Sequence, residues 1–402
     1  MTTIDKLTQA RDLINVALAE LATPPAAAPA TAKGTITPAD LSYLGSLQTP
    51  LAARSQGAIA LRRRPDGTRS LLVSGPSTAG NPLAEISLET FSTDPAKQAT
   101  AKLLNSWPPE QWQQNCKSWG SIPLPSGGLE VGGMVMIGDT LYSTFHGHYD
   151  VSPGNKPVLF ASKFNADGTI TSYGPWFIDA GNHQTCLWPT TNNGQLYAGA
   201  GLTAGDAASP WGRSLYRIHI PDPTTPVFST LASQVLLTYS IGHEDEFPGT
   251  YTSAAVTTPK TGGPWINNGN VTTAIWIDTP MLEGVLYFGR IGEGFVWYGL
   301  NPDPASGNKD TVDLAKGYHA TQHKGYLAID NPAKYDDVVA GKVQPYTLRA
   351  DAVIDPFPMM GNLSPANFFT GAAFDEDTNT LVLSGTWGPS GLLLLHALKV
   401  GG

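Results

Sequence analysis

Three side chains in one short stretch have the residue types and the spacing of a metal site. His146 and His148 are two residues apart, and Asp150 follows at the same interval. Alternate residues of an extended chain point to the same side, and imidazoles and carboxylates are ordinary ligands of divalent metals. The stretch predicts a candidate divalent-metal site, the only cofactor that the sequence suggests. The alternative is a polar loop in which both histidines bond to backbone groups or water.

Two other polar stretches are weaker candidates for metal binding. The cluster His243–Glu246 offers carboxylates that could bind calcium, but a solvated loop is the simpler interpretation. His319 and His323 would share one face of a helix, yet the residues around them do not have a firm helical pattern. In addition, no glutamate follows the first of these histidines, as a zinc-protease motif would require.

Three carboxylates are candidates for catalysis. Glycoside hydrolysis uses two carboxyl groups that flank the scissile bond, and Glu85, Asp150 and Glu283 could supply them. These residues are far apart in the chain, so only the fold could bring them together. A polysaccharide-degrading hydrolase is therefore kept as an alternative function, and we favour a non-enzymatic role.

Aromatic side chains suggest a different chemistry, the binding of sugars. The chain has 10 tryptophans, of which Trp211 and Trp265 stand next to proline and glycine, in sequence typical of loops. Exposed aromatic rings stack on sugar faces and anchor interfaces. These two residues are candidate ligand-binding groups. Most of the others are better explained as core residues.

Composition excludes several classes of protein. The formal net charge is −9 and only 14% of residues are charged, which argues against a nucleic-acid partner because phosphate binding needs a concentrated basic face. No apolar run is long enough to span a membrane. The two cysteines, Cys116 and Cys186, do not form a disulfide framework, and whether they pair is left open.

Residues 1–22 are predicted to form a helix that serves as an anchor or an oligomerisation segment. Apolar side chains recur in it at near-heptad spacing, and so short a helix must dock on something to be stable. The residues of this seam are Ile4, Leu7, Ile14, Leu18 and Leu21. The segment is charged and lacks an apolar core, so we expect no signal peptide. Residues 23–37, rich in proline and alanine, are predicted to be a linker.

The rest of the chain, residues 38–402, repeats one hairpin pattern. An apolar strand leads into a polar turn, and a second apolar strand is followed by an amphipathic third strand. The abundance of glycine (43 residues) and proline (33 residues) in the whole chain fits a turn-rich all-β protein. The five copies lie at about 58–88, 132–164, 185–220, 273–329 and 371–400. Such repeats predict a β-propeller of five to seven blades.

Two further details of the propeller are predicted. The strand at Leu41–Leu47 is expected to pair with the last blade, so that the two ends of the domain close the ring. The segment from Val227 to Thr258 is where an additional, degenerate blade could lie.

Four stretches are similar to sequences of known proteins: Leu41–Gly45, the hairpin at Gly132–Gly133, Leu286–Gly292 and Val338–Tyr346. They resemble a family of predicted β-propeller proteins found in bacteriophage and bacterial genomes. The resemblance covers roughly residues 40–400 and excludes the helix and linker. It implies a propeller fold and a phage-linked context, but it implies no activity and no catalytic residues.

The resemblance and the layout of anchor, linker and head predict a bacteriophage virion structural protein of the fibre, decoration or adhesion type. We expect it to be made in the host cytoplasm and to reside in the virion. Its expected partners are other virion proteins or copies of itself, as in a homotrimer, and a host surface glycan. A propeller hydrolase and a stand-alone carbohydrate-binding lectin are the alternatives.

Overall fold

Antiparallel hairpins account for nearly all of the regular structure in the computed structural model. It describes residues 33–52, 58–75, 82–112, 129–147, 158–179, 188–200, 212–239, 251–253, 270–298, 318–361, 369–385 and 392–401. The predicted anchor helix and most of the predicted linker lie outside these residues, so both stay predictions. Ile36, in the last part of the stretch assigned to the linker, is buried, and its amide donates to the Glu283 carbonyl oxygen.

Two strands precede the first repeat, and the first two sheets follow them. The preceding strands are β1 (Gly34–Thr35) and β2 (Leu41–Ala52). The first sheet contains β3 (Ile59–Arg63), β4 (Arg69–Ser74), β5 (Leu83–Ser87) and β6 (Leu103–Trp107), paired in that order. The second contains β7 (Leu129–Ile137), β8 (Thr140–Gly147), β9 (Leu159–Phe164) and β10 (Ile170–Ile178).

The remaining three sheets repeat this up-and-down order. The third contains β11 (Trp188–Asn192), β12 (Gln195–Gly199) and β13 (Leu215–Ile218); after β14 (Thr230–Leu231), β15 (Ser233–Leu237) completes it. Following β16 (Tyr251–Ser253), the fourth contains β17 (Asn270–Asp278), β18 (Leu282–Tyr298), β19 (Tyr318–Asp330) and β20 (Ala352–Ile354). The fifth contains β21 (Gly371–Asp375), β22 (Thr380–Ser384), β23 (Leu392–Val400) and β2.

Helices are short and lie between strands. The described α-helices are α1 (Pro109–Trp112) and α2 (Ala333–Val339), and short 3-10 turns occur at Pro38–Asp40, Pro95–Lys97, Pro345–Thr347 and Pro358–Met360. No helix in the described ranges is long and apolar enough to cross a membrane.

The five sheets are the blades of a propeller. The first strands of the sheets neighbour one another in the cyclic order β3, β7, β11, β17, β21 and back to β3, so these strands surround a common axis. Each pair of adjacent blades shares one apolar cluster, which gives five clusters between blades. The prediction of an all-β propeller is therefore confirmed, with five blades.

Burial on both faces explains why the blade strands are so continuously apolar. Leu71 and Leu72 are adjacent in β4 and point to opposite faces, yet both are fully buried. Leu71 packs in the cluster between the first and fifth blades, and Leu72 in the cluster between the first and second. A sheet with one solvated face would alternate apolar and polar residues, whereas a blade needs apolar residues at consecutive positions.

The two ends of the domain close the ring as expected from the sequence. β2 pairs antiparallel with β23 along most of its length, from Leu41 opposite Val400 to Leu47 opposite Leu395. The amide of Gly401 also donates to the carbonyl oxygen of Asp40. The outer strand of the fifth blade thus comes from the beginning of the domain, and its pairing with β23 closes the ring.

The suggested degenerate blade between Val227 and Thr258 is wrong for the residues that are described. Here the chain supplies extra strands to other sheets: β14 pairs in parallel with β10, and β16 pairs in parallel with β18. β15 is the outer strand of the third blade. β10 is the outer strand of the second blade, so β14 covers that edge, whereas β16 pairs with the second strand of the fourth blade.

Candidate functional site

One rim of the propeller carries the short turns between first and second strands. The same rim carries the connections between third and fourth strands, because each blade repeats the same up-and-down order. Three connections of this rim contain an Asp-x-Thr motif in which the threonine amide and hydroxyl both donate to the aspartate. These pairs are Asp66 with Thr68, Asp167 with Thr169, and Asp222 with Thr224. The hydrogen bonds from threonine lower the pKa of all three aspartates. We call this the turn rim.

The opposite rim, which we call the loop rim, carries most of the chain's long connections. Second and third strands, and fourth and first strands of successive blades, are connected there. These connections include residues 76–81, 113–128, 148–157, 180–187, 201–211, 240–250, 254–269, 299–317, 362–368 and 386–391, which lie outside the described residues. By connectivity, the loop rim is therefore the face on which the sequences of the five blades differ most in length.

Most of the candidate residues from sequence fall in these connections. His148, Asp150, Trp211, Trp265 and the cluster His243–Glu246 lie outside the described residues, as do both cysteines, Cys116 and Cys186. His146 is the next-to-last residue of β8, and its backbone pairs with that of Glu130. The metal and sugar sites proposed from sequence therefore stay predictions. Among the described residues, no group of three or more His, Cys, Asp or Glu side chains is placed to hold a metal ion.

His319 and His323 lie in β19, so the hypothesis of a shared helical face is wrong. Their backbones pair with Trp297 and Gly292 of β18 in an antiparallel ladder. β-Branched and aromatic residues close to both histidines favour a strand here.

Glu85 is part of an ion-paired cluster within the first blade. Its carboxylate lies 3.0 Å from Nη1 of Arg62 and 3.5 Å from Nε of Arg64, and it accepts a 2.6 Å hydrogen bond from the Ser70 hydroxyl. It is on the third strand, away from the axis, and its side chain is 1% exposed. The arginines are therefore structural: they neutralise a buried carboxylate, and Arg62 also stacks over the Phe164 ring at 4.1 Å.

Glu283 is separated from Glu85 by the fifth blade and has a partner of its own. Its Oε1 accepts a 2.9 Å hydrogen bond from Nε1 of Trp276 within the fourth blade. The two described members of the proposed catalytic set, Glu85 and Glu283, are therefore not brought together. The third, Asp150, lies outside the described residues.

Glu130 is a carboxylate that the sequence reasoning missed. It is the second residue of β7, an innermost strand, at the end that faces the loop rim, and it is only 8% exposed. The signal for it was available, because a glutamate stands between Leu129 and Val131 in an otherwise apolar strand. By register it lies opposite His146, which puts two ionisable residues at the loop-rim end of the second blade.

Comparisons with known proteins identify no family for this chain. No family model matches it, and no curated protein matches it. The resemblance to phage and bacterial propeller proteins therefore stays a prediction.

Solved structures with a similar chain path include three enzymes. An alpha-L-arabinanase from Penicillium chrysogenum, complexed with arabinobiose, is 11% identical, with a TM-score of 0.38 over 89% of this chain and 98% of that one. A luciferin-regenerating enzyme is 8% identical, with a TM-score of 0.34 over 92% and 94%. A mannose phosphorylase from Leishmania mexicana, in complex with a phosphate ion, is 9% identical, with a TM-score of 0.32 over 88% and 87%. Likenesses this distant carry no argument about activity.

Proposed function

We propose that the chain is a bacteriophage virion component whose propeller is a rigid head that binds a host surface glycan through its loop rim. The predicted helix at residues 1–22 attaches the head to other virion proteins or to copies of itself. The observation that carries the proposal is the difference between the two rims. Short turns and hydrogen-bonded Asp-x-Thr motifs hold one rim, while the other receives most of the long connections, and binding residues are disproportionately found on such connections.

Three of the described carboxylates are unavailable for hydrolysis. Among the described residues, Glu85, Asp330 and Asp375 are acidic side chains buried almost completely within the blades, and each is held by an arginine: Arg62, Arg213 and Arg69 respectively. A catalytic acid or nucleophile must reach the substrate, and these three groups are committed to holding the sheets together. The virion context is supported by the family resemblance and by the predicted anchor and linker.

The head and the anchor can be tested separately. We expect Trp211→Ala and Trp265→Ala to weaken retention of the purified chain on host cell-surface polysaccharide. Met281→Ala is the matched control, because Met281 is an apolar side chain on the turn rim that is 76% exposed. Equal retention of all three variants would reject the loop rim as the binding surface.

The anchor is tested by deleting residues 1–32, which leaves β1 (Gly34–Thr35) in place, and measuring incorporation into phage particles and the mass in solution. Incorporation should be lost while the head still binds polysaccharide. A truncated chain that assembles as the full chain does would contradict the attachment role.

A further inference from the structure

A cleft of about 470 Å³ opens between the second and third blades on the turn rim, away from the loop rim. Residues of β8, β9 and β10 form one wall, and the chain after β13 forms the other. Its lining includes Tyr142, Ala161, Lys163, Tyr173, Trp176 and His219, and also Asp222, whose carboxylate is bonded by the Thr224 amide and hydroxyl. Its volume is within the range of small-ligand sites, roughly 300–1,000 Å³.

The register of the second blade explains why space is left here. Tyr142 of β8 and Tyr173 of β10 both pair with Ala161 of β9, so the three side chains form one row across the sheet. The alanine methyl group is much shorter than its two aromatic neighbours. The row is therefore lowest at its centre, where Ala161 lines the cleft with 3% of its surface exposed, between two phenol rings.

A cation stands in the next row of the same face. Lys163 is two residues beyond Ala161, so its side chain leaves the same face of β9 roughly 7 Å further along the strand. Lys163 is exposed, and its ammonium makes no ion pair or hydrogen bond with a side chain in the described part of the chain. His219 is also exposed and adds an imidazole from the opposite wall.

The opposite wall is formed by the connection between β13 and β15, which is held in place by its contacts with the second blade. After β13 the chain crosses to pair β14 with β10, and the Phe177 amide donates to the Ser229 carbonyl oxygen. Trp176 Nε1 donates to the carbonyl oxygen of Thr225 at 3.4 Å, and the Asp222–Thr224 turn fixes the beginning of the connection. Both walls therefore have defined positions before any ligand binds.

The hydroxyls of the cleft are suited to a polyhydroxylated ligand. No hydrogen bond is recorded for the Tyr142 or Tyr173 hydroxyl within the described residues, although Tyr142 is only 6% exposed. Burial raises the pKa of Tyr142, so its hydroxyl stays protonated and can donate. Aromatic rings pack on the apolar face of a sugar, while hydroxyls and an ammonium bind its polar edge.

We propose that this cleft binds a saccharide unit that carries a carboxylate, with Lys163 as the partner of the carboxylate and Tyr142 and Tyr173 as the stacking and hydroxyl-binding groups. The proposal is independent of the one made for the loop rim, because the cleft is built from other connections.

The test is calorimetric titration of the full chain with methyl glucuronide and with methyl glucoside, which lacks the carboxylate. We expect methyl glucuronide to bind at least ten-fold more tightly. Lys163→Gln should remove most of that preference, and Ala161→Leu, which fills the low centre of the row, should weaken both sugars. Lys102→Gln is the matched control, because Lys102 is an exposed lysine of the first blade.

Each outcome decides the proposal. Equal affinity for the two sugars, an unchanged preference in Lys163→Gln, or no heat with either sugar at millimolar concentration would overturn it. Lys163 is exposed, so Lys163→Gln remains informative if Ala161→Leu does not fold. Retention on host polysaccharide by the loop-rim variants is measured separately, so the two proposals can fail independently.

Discussion

Arg213 of the third blade and Asp330 of the fourth form an ion pair in which both side chains are fully buried, with 2.6 Å between Nη1 and Oδ2. The carboxylate also accepts from the Tyr335 hydroxyl at 2.8 Å and from Lys334 Nζ at 3.2 Å. Burial, and then the charge of Asp330, raises the pKa of both Tyr287 and Tyr335 well above the ordinary value, so both phenols remain donors. The cluster links two blades through polar contacts inside an otherwise apolar interface.

Arg213→Met should therefore destabilise the propeller strongly. The substitution leaves the buried Asp330 carboxylate with only Lys334 and the Tyr335 hydroxyl as partners, and breaking a buried ion pair typically costs about 3–5 kcal/mol. The free energy of unfolding in urea measures the effect. Lys342→Met is the control, because the pair of Lys342 with Asp337 is solvent-exposed and its loss should not change stability measurably. Similar stability of the two variants would show that the buried pair is not important for blade packing.

His396 should make the propeller less stable in mild acid. Burial lowers its pKa from 6.5 to about 4, and its Nδ1 lies 3.0 Å from the Tyr43 hydroxyl. Between those values the unfolded chain binds a proton that the folded chain does not, so stability is lost as the pH falls. The loss should approach about 3 kcal/mol near pH 4.

The measurement is urea unfolding of the wild-type chain and of His396→Phe at a series of pH values from 7 to 4. The variant should have a flatter profile across this window. Parallel profiles would mean that other groups cause the acid sensitivity.

Glu85→Gln should reduce stability without affecting any binding to polysaccharide. The substitution leaves Arg62 and Arg64 facing a neutral amide in a buried site, which we expect to cost about 2 kcal/mol. Thermal unfolding gives the stability, and retention on polysaccharide gives the binding. If the variant were as stable as the wild type but had lost release of reducing ends from a glycan, the hydrolase alternative would be correct.

Gly45→Ala should disrupt closure of the ring. Gly45 has φ +117 at a register shift in the β2–β23 ladder, and an added Cβ would lie 2.1 Å from the Ser92 carbonyl carbon. Backbone strain together with a clash against main chain should cost at least about 3 kcal/mol. Gly67→Ala is the control: its φ is +80 but nothing lies within 4 Å, so only the backbone cost of about 1–2 kcal/mol applies. Equal melting temperatures would contradict this account of the closing strand.

Hairpins, the propeller class and the closing strand could all be predicted from the order of the amino acids. Strand and turn preferences are local, so five repeats of one pattern could be recognised without knowing which sheets pack against each other. The choice of five blades over six or seven required the three-dimensional fold, since β14 and β16, in the segment where a further blade was suggested, pair with sheets formed elsewhere in the chain.

Which polar residues meet could be learned only from the packing of the folded chain. Glu85 was a plausible catalytic group until Arg62 and Arg64 were found beside it, and nothing in the sequence links Arg213 to Asp330. The low point at Ala161 likewise depends on the register of three strands, which places a small residue between two tyrosines. Ion pairs and clefts depend on contacts between residues distant in the chain, whereas strands and turns depend on neighbours, and this difference explains why the fold was predictable and the arrangement of polar groups was not.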